Sequence, residues 1–330
     1  MTREPLLSVI LVTPDRFDTI ERTVQHLRAQ ELRDRIELVI VAPSRQSLGV
    51  EDAMLSAFGH RQVVEVGAIR SNASGYAAGI RQATAPVVVL GEDHSYPGPG
   101  WAEALSKAHE QPYAVVGPVV ANANPGSAVS WADFILGYGP WLDPTPSGEV
   151  DYLPGHNSAY KRDLLTEYGP ALDVWLEAES VLHGDLRSRG HRLYLEPSAR
   201  TFHFNFSRRS SWLAATFHSA RTFAARRVRT GRAFPLRRLL FTLGTPMIPV
   251  IRLRRCLRDL RRCKQPVSLP RLLPSLVLAL LVSATGEAIG YAIGPGDSPQ
   301  QVAQFEFHRD RHVNTKDRAA MAQARFWSRG

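Results

Sequence analysis

Residues 86–94 run Pro86-Val87-Val88-Val89-Leu90-Gly91-Glu92-Asp93-His94. Pro86 to Leu90 reads as a buried strand, and it stops abruptly at a glycine followed by two acids and an imidazole. Polar side chains massed beyond the carboxyl end of a strand mark the usual ligand crevice of an open α/β sheet. Upstream, Ser8 to Val12, Ile36 to Val41 and Gln62 to Val66 read as three more strands. Amphipathic stretches lie between them. The one after Val12 has Asp18 as a cap, Glu21 three residues on, and Ile20, Val24 and Leu27 on one face. Gly75 to Ala83 reads as another helix. This alternation predicts an α/β domain with a mostly parallel, Rossmann-like sheet and crossover helices.

Downstream of His94, Trp101 to His109 reads as a helix, Tyr113 to Val120 as a strand, and 122–146 as a Gly-, Pro- and Trp-rich loop. Glu177 to Arg189 forms a helix closed by Gly190, and Leu193 to Leu195 a short edge strand ending before Pro197. Beyond Asn205 the character changes. The stretches 239–251 and 272–286 are apolar, and between them lies an arginine-rich piece, 252–264. We therefore expect a catalytic-size domain over 1–205, a basic helical segment over 206–265, and an apolar interfacial segment with a tail over 266–330.

The chain has 330 residues, 44% of them hydrophobic and 22% charged, which excludes a disordered or fibrous chain. Its net charge is +9 but is unevenly spread. From Arg208 to Lys264 there are fifteen arginines and one lysine against the single acid Asp259, a net +15, leaving −6 for the rest. A concentrated basic segment on a mildly acidic body implies an anionic partner for that segment alone. Fifteen uncharged residues precede Glu287, fewer than the ~20 that span a bilayer. An interfacial or re-entrant segment on an anionic membrane surface fits, as does a helical hairpin packed on the main domain. The N-terminal residues lack a basic lead-in and a cleavage pattern, which predicts a cytoplasmic location at the inner membrane face. Cys256 and Cys263 would lie roughly 10 Å apart on a helix, too far for a disulfide.

Glu92, Asp93 and His94 offer hard oxygens and an imidazole, a donor set suited to Mg²⁺ or Mn²⁺. An acidic loop solvated at the surface would read the same way. No glycine-rich phosphate loop, nucleophile elbow or paired-histidine zinc motif occurs, so P-loop hydrolysis, hydride transfer and zinc hydrolysis lack support.

Five stretches from the first half of the chain together resemble family 2 glycosyltransferases of the GT-A fold: Ser8–Arg16 (SVILVTPDR), the helix ending at Gln30, Glu37–Ser44 (ELVIVAPS), Gly75–Ala83, and Val87–Asp93 with Pro99-Gly100-Trp101. So do Gly155–Arg162 (GHNSAYKR) and the closing Leu186–Pro197 (LRSRGHRLYLEP) with His203 after it. The resemblance implies transfer of a sugar from a nucleotide-sugar donor to a lipid-linked or surface-glycan acceptor, with a divalent cation. It places donor-binding residues at Thr13, Asp15, Ser44, Glu92, Asp93, His156 and Asn157, and the metal at Asp93, Glu92, His94 and His203. The family's Asp-x-Asp falls on Gly91-Glu92-Asp93, so its second aspartate alone is kept. Its nucleotide-binding Asp and Asn fall on Ala42 and Ala78. Its Glu-Asp pair falls near Glu177-Ala178-Glu179, which makes Glu179 the first candidate for catalytic base and Glu177 the second.

An inverting transfer needs a carboxylate to take the acceptor hydroxyl proton opposite the departing nucleotide. As isolated features, Glu177 and Glu179 also read as acids favoured by a helix start, and His203 as a structural histidine. His156 and Asn157 could hydrogen-bond sugar hydroxyls or simply form a turn. The loop 122–146 is the expected sugar or acceptor surface, and Trp131, Trp141 and Tyr138 could stack on sugar rings or sit in the core. Ala42, Ala78 and Gly91 leave open a non-catalytic scaffold of the same fold. A nucleic-acid-binding protein is the more distant alternative, since the interleaved Leu, Ile and Pro look more like a lipid-facing surface.

Overall fold

The computed structural model describes residues 3–230, 235–263 and 267–323. Its strands are β1 (Leu7–Val12), β2 (Ile36–Ala42), β3 (His60–Glu65), β4 (Val87–Gly91), β5 (Ser95–Pro97), β6 (Tyr113–Asn122), β7 (Gly148–Val150), β8 (Ala159–Lys161) and β9 (Arg192–His203). The α-helices are α1 (Glu21–Arg28), α2 (Arg45–Leu48), α3 (Asp52–Leu55), α4 (Asn72–Gln82), α5 (Trp101–Ala108), α6 (Ala128–Tyr138), α7 (Arg162–Thr166), α8 (Leu172–Leu176) and α9 (Glu179–Ser188). They continue with α10 (Arg209–Thr230), α11 (Pro235–Gly244), α12 (Ile248–Leu260), α13 (Leu269–Ile293), α14 (Ser298–Glu306) and α15 (Thr315–Gln323).

The described residues gather into two compact units, 3–121 with 145–202 and 122–144 with 203–323. The strands form one sheet in the order β3-β2-β1-β4-β8-β6-β9-β5, with β7 on β9. β1 pairs in parallel with β2 and β4, and β2 with β3. β8 enters antiparallel between β4 and β6. β1, β2 and β4 are buried on both faces, which is why they read as near-continuous apolar runs. In the first unit, Val9, Leu11, Leu38 and Val89 pack with Trp101, Leu105 and Leu27 from the helices. α1 and α5 start without side-chain caps, whereas α2 and α4 have them. Ser71 accepts the Ser74 amide at α4, and Ser44 and Ser47 form a capping box at α2.

Four expectations are corrected. Asp18 does not cap α1: it lies in a 3₁₀ turn, Phe17–Thr19, and Ile20 takes the cap position without a side-chain bond. The segment 122–146 is not all loop, because Ser127 caps α6, whose apolar face outweighs the turn formers around it. β9 is neither short nor an edge, running twelve residues through Pro197. The apolar stretch near the C-terminus is a 25-residue helix, α13, with Pro274 in its first turns, longer than the fifteen-residue run suggests.

In the second unit α13 packs along α10. A Cβ on Gly286 would come within 2.5 Å of the Phe217 carbonyl oxygen, and one on Gly290 within 2.4 Å of that of Arg221, so only glycine lets these backbones approach so closely. Glu287, between them, is buried and paired with Arg252 of α12 at 2.6 Å. α13 is long and apolar enough to cross a membrane, and half of its most apolar window is buried.

Candidate active site

The end of β4 is the centre of the arrangement. Gly91 terminates the strand, and its carbonyl accepts from Tyr76 of α4 at 2.8 Å. The Glu92 carbonyl accepts from Thr23 of α1 at 2.9 Å. Two helices thus pin the backbone from which Glu92, Asp93 and His94 project. Glu92 and His94 are buried, and the Asp93 side chain is 15% exposed. Asp93 Oδ1 lies 2.5 Å from His94 Nδ1. That bond makes Nδ1 the donor and so, in the neutral ring, puts the lone pair on Nε2. Nε2 faces Glu92 Oε1 at 3.6 Å.

The turn Gly155-His156-Asn157 closes over the same carboxylate. Asn157 is buried with φ of 63°, in the left-handed region that Asn tolerates better than most residues. This lets its amide donate to the Leu90 carbonyl at 2.6 Å and its side chain to Glu92 Oε2 at 3.2 Å. His156 stands between two acids. Its Nδ1 is 3.5 Å from Glu92 Oε1 and its Nε2 is 3.5 Å from Glu179 Oε1. The Tyr76 hydroxyl is 3.4 Å from the same Nδ1.

Glu179 opens α9, and that helix holds the turn in a second way. One helical turn on, His183 is fully buried, and burial pushes its pKa down to about 3, so it is neutral. Its Nδ1 accepts from the Leu153 amide at 3.4 Å, leaving the proton on Nε2, 3.0 Å from the Tyr160 hydroxyl. Tyr160 in turn donates to the Gly155 carbonyl at 3.2 Å. Against this turn a Cβ on Gly155 would meet Glu179 Cγ and Cδ at 2.4 Å. Loop and helix are therefore fitted to each other at the carboxylate.

Glu92, Asp93, His94, His156, Asn157 and Glu179 are thus brought together from three distant stretches of sequence. Glu177 lies at the carboxyl end of α8, and it is Glu179 whose carboxylate faces His156. Thr13 is committed to a turn, accepting the Asp15 amide at 3.1 Å and bonded to Thr19 at 2.8 Å. The Ser44 hydroxyl is taken up as the cap of α2. His203 closes β9 in the second unit, where its Nδ1 meets Asn205 Oδ1 at 2.8 Å and its ring lies 4.4 Å from that of Tyr138. Trp131 and Trp141 are buried in that unit, as core residues. Tyr76, Thr23, Tyr160 and His183 carry no sequence signal that distinguishes them from ordinary core and helix residues.

A divalent cation fits the donor set. Glu92 Oε1 and His94 Nε2 converge at a distance too long for a hydrogen bond, with His94 already oriented by a carboxylate on its other nitrogen, the arrangement that metal-binding histidines commonly use.

The family model for glycosyl transferase family 2 matches residues 8–169. No curated protein sequence matches the chain. Among solved structures, the chain resembles the mannosyltransferase PcManGT from Pyrobaculum calidifontis, in complex with GDP-Man and Mn²⁺. Identity is 18% over 87% of this chain and 88% of that one, with a TM-score of 0.51. S. aureus TarS, residues 1–349, is 13% identical over 86% of this chain and 90% of that chain, with a TM-score of 0.47.

Proposed function

We propose, from the match of residues 8–169 to the glycosyl transferase family 2 model and the shared fold, that the chain moves a sugar from a nucleotide-sugar to a hydroxyl of a lipid-linked or surface-glycan acceptor at the cytoplasmic membrane face, with inversion. The observation that carries this reading is the row Glu92, His156, Glu179, in which one imidazole separates a carboxylate of the cation-binding set from a carboxylate at a helix start. Glu92 and His94 are the residues to hold Mn²⁺ or Mg²⁺, with Asp93 orienting His94. The ion supplies positive charge against the diphosphate of the leaving nucleotide.

Glu179 takes the proton of the acceptor hydroxyl as that oxygen bonds to the anomeric carbon. The bond from the anomeric carbon to the phosphate oxygen breaks, and its electron pair leaves with the nucleotide diphosphate. His156 spaces the two carboxylates and offers a ring nitrogen to donor or acceptor hydroxyls. Asn157 holds Glu92 in place from the other side. The buried, unbridged thiol of Cys256 suits a reducing compartment, and the basic segment suits the anionic cytoplasmic leaflet.

The test is a panel of UDP-, GDP- and dTDP-sugars with and without Mn²⁺, read by calorimetry and by product formation. We expect Mn²⁺-dependent binding of one donor class. Asp93→Ala should remove the metal dependence, and Glu179→Ala should depress turnover far more than donor binding. Donor binding without any transfer or hydrolysis would instead identify a non-catalytic member of the fold, and unchanged turnover in Glu179→Ala would remove Glu179 from the mechanism.

A further inference from the structure

In the second unit, α11 and α12 present an outward stripe that no described residue covers. Leu239, Leu240, Leu243, Met247, Val250 and Ile251 are between 46% and 67% exposed, a density of exposed apolar side chains that a soluble surface does not ordinarily carry in one place. From Met247 onward the stripe keeps helical spacing, three and four residues apart, and its chemistry then changes. Arg254, Arg255, Arg258 and Arg261 continue the same face of α12 and are exposed. The inward face differs in kind: Arg252 is paired with Glu287 at 2.6 Å, Arg262 with Asp259 at 2.9 Å, and Cys256 is buried. Arg258 also reaches Asp259, at 3.7 Å, but its side chain is 72% exposed, so it faces outward with Arg254, Arg255 and Arg261.

The geometry points to an anionic lipid bilayer surface as the occupant of this stripe, with the apolar half of the face entering the acyl boundary and the arginine half lying among the headgroup phosphates. From Ile251 to Arg258 the axial rise along α12 is ~10 Å. A tilt of about 30° from the membrane plane turns that rise into a depth difference of about 5 Å, within the ~5–10 Å to which interfacial helices bury their apolar faces. Long arginine side chains allow the remaining adjustment. Charge complementarity selects an anionic over a neutral surface. The interleaved leucines select lipid over a nucleic-acid backbone, which would reward the arginines but leave six apolar side chains in water. This inference rests on the membrane-face reading above and specifies the surface that makes it.

The full chain is mixed with vesicles of phosphatidylcholine alone, or of phosphatidylcholine with phosphatidylglycerol, and floated through a density gradient. We expect flotation with the anionic vesicles only, weakened by added salt. Each arginine contributes about fivefold, so the double variant Arg254→Gln with Arg255→Gln should lower partitioning roughly 30-fold. Leu243→Ser with Ile251→Ser should lower it by about tenfold or more. Both pairs are exposed, so melting temperatures should stay at the parent value and serve as the folding control. Equal flotation with neutral vesicles, no flotation of the parent, or insensitivity to both variants overturns the inference. So does salt-sensitive binding to duplex DNA that the arginine variant abolishes while flotation is absent. Donor binding measured on the same preparation separates the two readings: a protein that binds its donor but does not float refutes the lipid-facing stripe alone.

Discussion

Gly155→Ala is the most direct probe of how the site is held. Gly155 is not among the positive-φ glycines, so its backbone accepts alanine, and the whole effect arises from the new methyl group. That Cβ would stand 2.4 Å from Glu179 Cγ and Cδ and 2.7 Å from its Cβ. Restoring ordinary contact requires a separation of about 1 Å more than the native fit allows, and the backbone on the loop side cannot give freely because Tyr160 holds the Gly155 carbonyl and the Leu90 carbonyl holds the Asn157 amide. Glu179 must therefore withdraw from its position opposite His156. A misplacement of ~1 Å at a catalytic group costs on the order of 10²-fold in rate, while overpacking of this kind costs about 1–3 kcal/mol in stability. We expect kcat to fall about a hundredfold, with donor binding changed by far less and a folded protein by circular dichroism. Steady-state kinetics with the donor identified by the panel, alongside calorimetric donor affinity, makes the measurement. A folded Gly155→Ala protein turning over at the parent rate would refute both the placement of Glu179 as base and the fit of turn to helix.

Tyr160→Phe removes the hydroxyl between His183 and the Gly155 carbonyl and leaves the buried His183 Nε2–H without that acceptor. A stability loss of about 1–3 kcal/mol in denaturant midpoints and a fall in kcat larger than any rise in KM should follow. His183, neutral in the folded chain, takes a proton on unfolding below its ordinary value near 6.5, so its burial is without penalty above that pH and destabilises increasingly as pH falls toward 3, by roughly 4–5 kcal/mol at most. His183→Gln should therefore flatten the loss of stability between about pH 6.5 and pH 4 relative to the parent. His109, pushed down to about 4 by burial, adds a slope of the same sign in both proteins and cancels in the comparison. Gly290→Val, meeting the Arg221 carbonyl, should unfold or dissociate the packing of α13 on α10 at a clearly lower temperature than the parent, seen as a lowered melting transition; an unchanged transition would mean that the helices have room to spare.

The sheet was legible because β1, β2 and β4 are buried on both faces and therefore declare themselves as apolar runs. The acidic cluster was legible for a similar reason: Glu92, Asp93 and His94 are adjacent in sequence, and any strand ending there delivers them together. What lay hidden depends on pairs far apart in the chain. Tyr76 matters through the Gly91 carbonyl, and His183 through Tyr160, contacts that no local pattern announces. Asp18 looked like a cap because residue type and spacing fit, but a 3₁₀ turn intervened and delivered Ile20 to that position. β9 looked short because Pro197 stands within it and polar residues follow. Its length comes from neighbours on either side rather than from its own composition. The helix α6 was obscured by the Gly and Pro residues that flank it.

The glycine contact between α13 and α10 also accounts for the most lipid-like stretch of the chain. A helix seated backbone to backbone on its neighbour at Gly286 and Gly290, with an acid between them clamped by Arg252, cannot be drawn into hydrocarbon singly. Extraction would either drag the arginine-bearing α10 along or strand Glu287 without its counter-charge, and each is costly in an oily phase. The face of α13 seated on α10 acts as a strut that keeps the second unit in one piece, while Leu269, Leu278, Leu281 and Ile293 stay exposed on the rest of the helix.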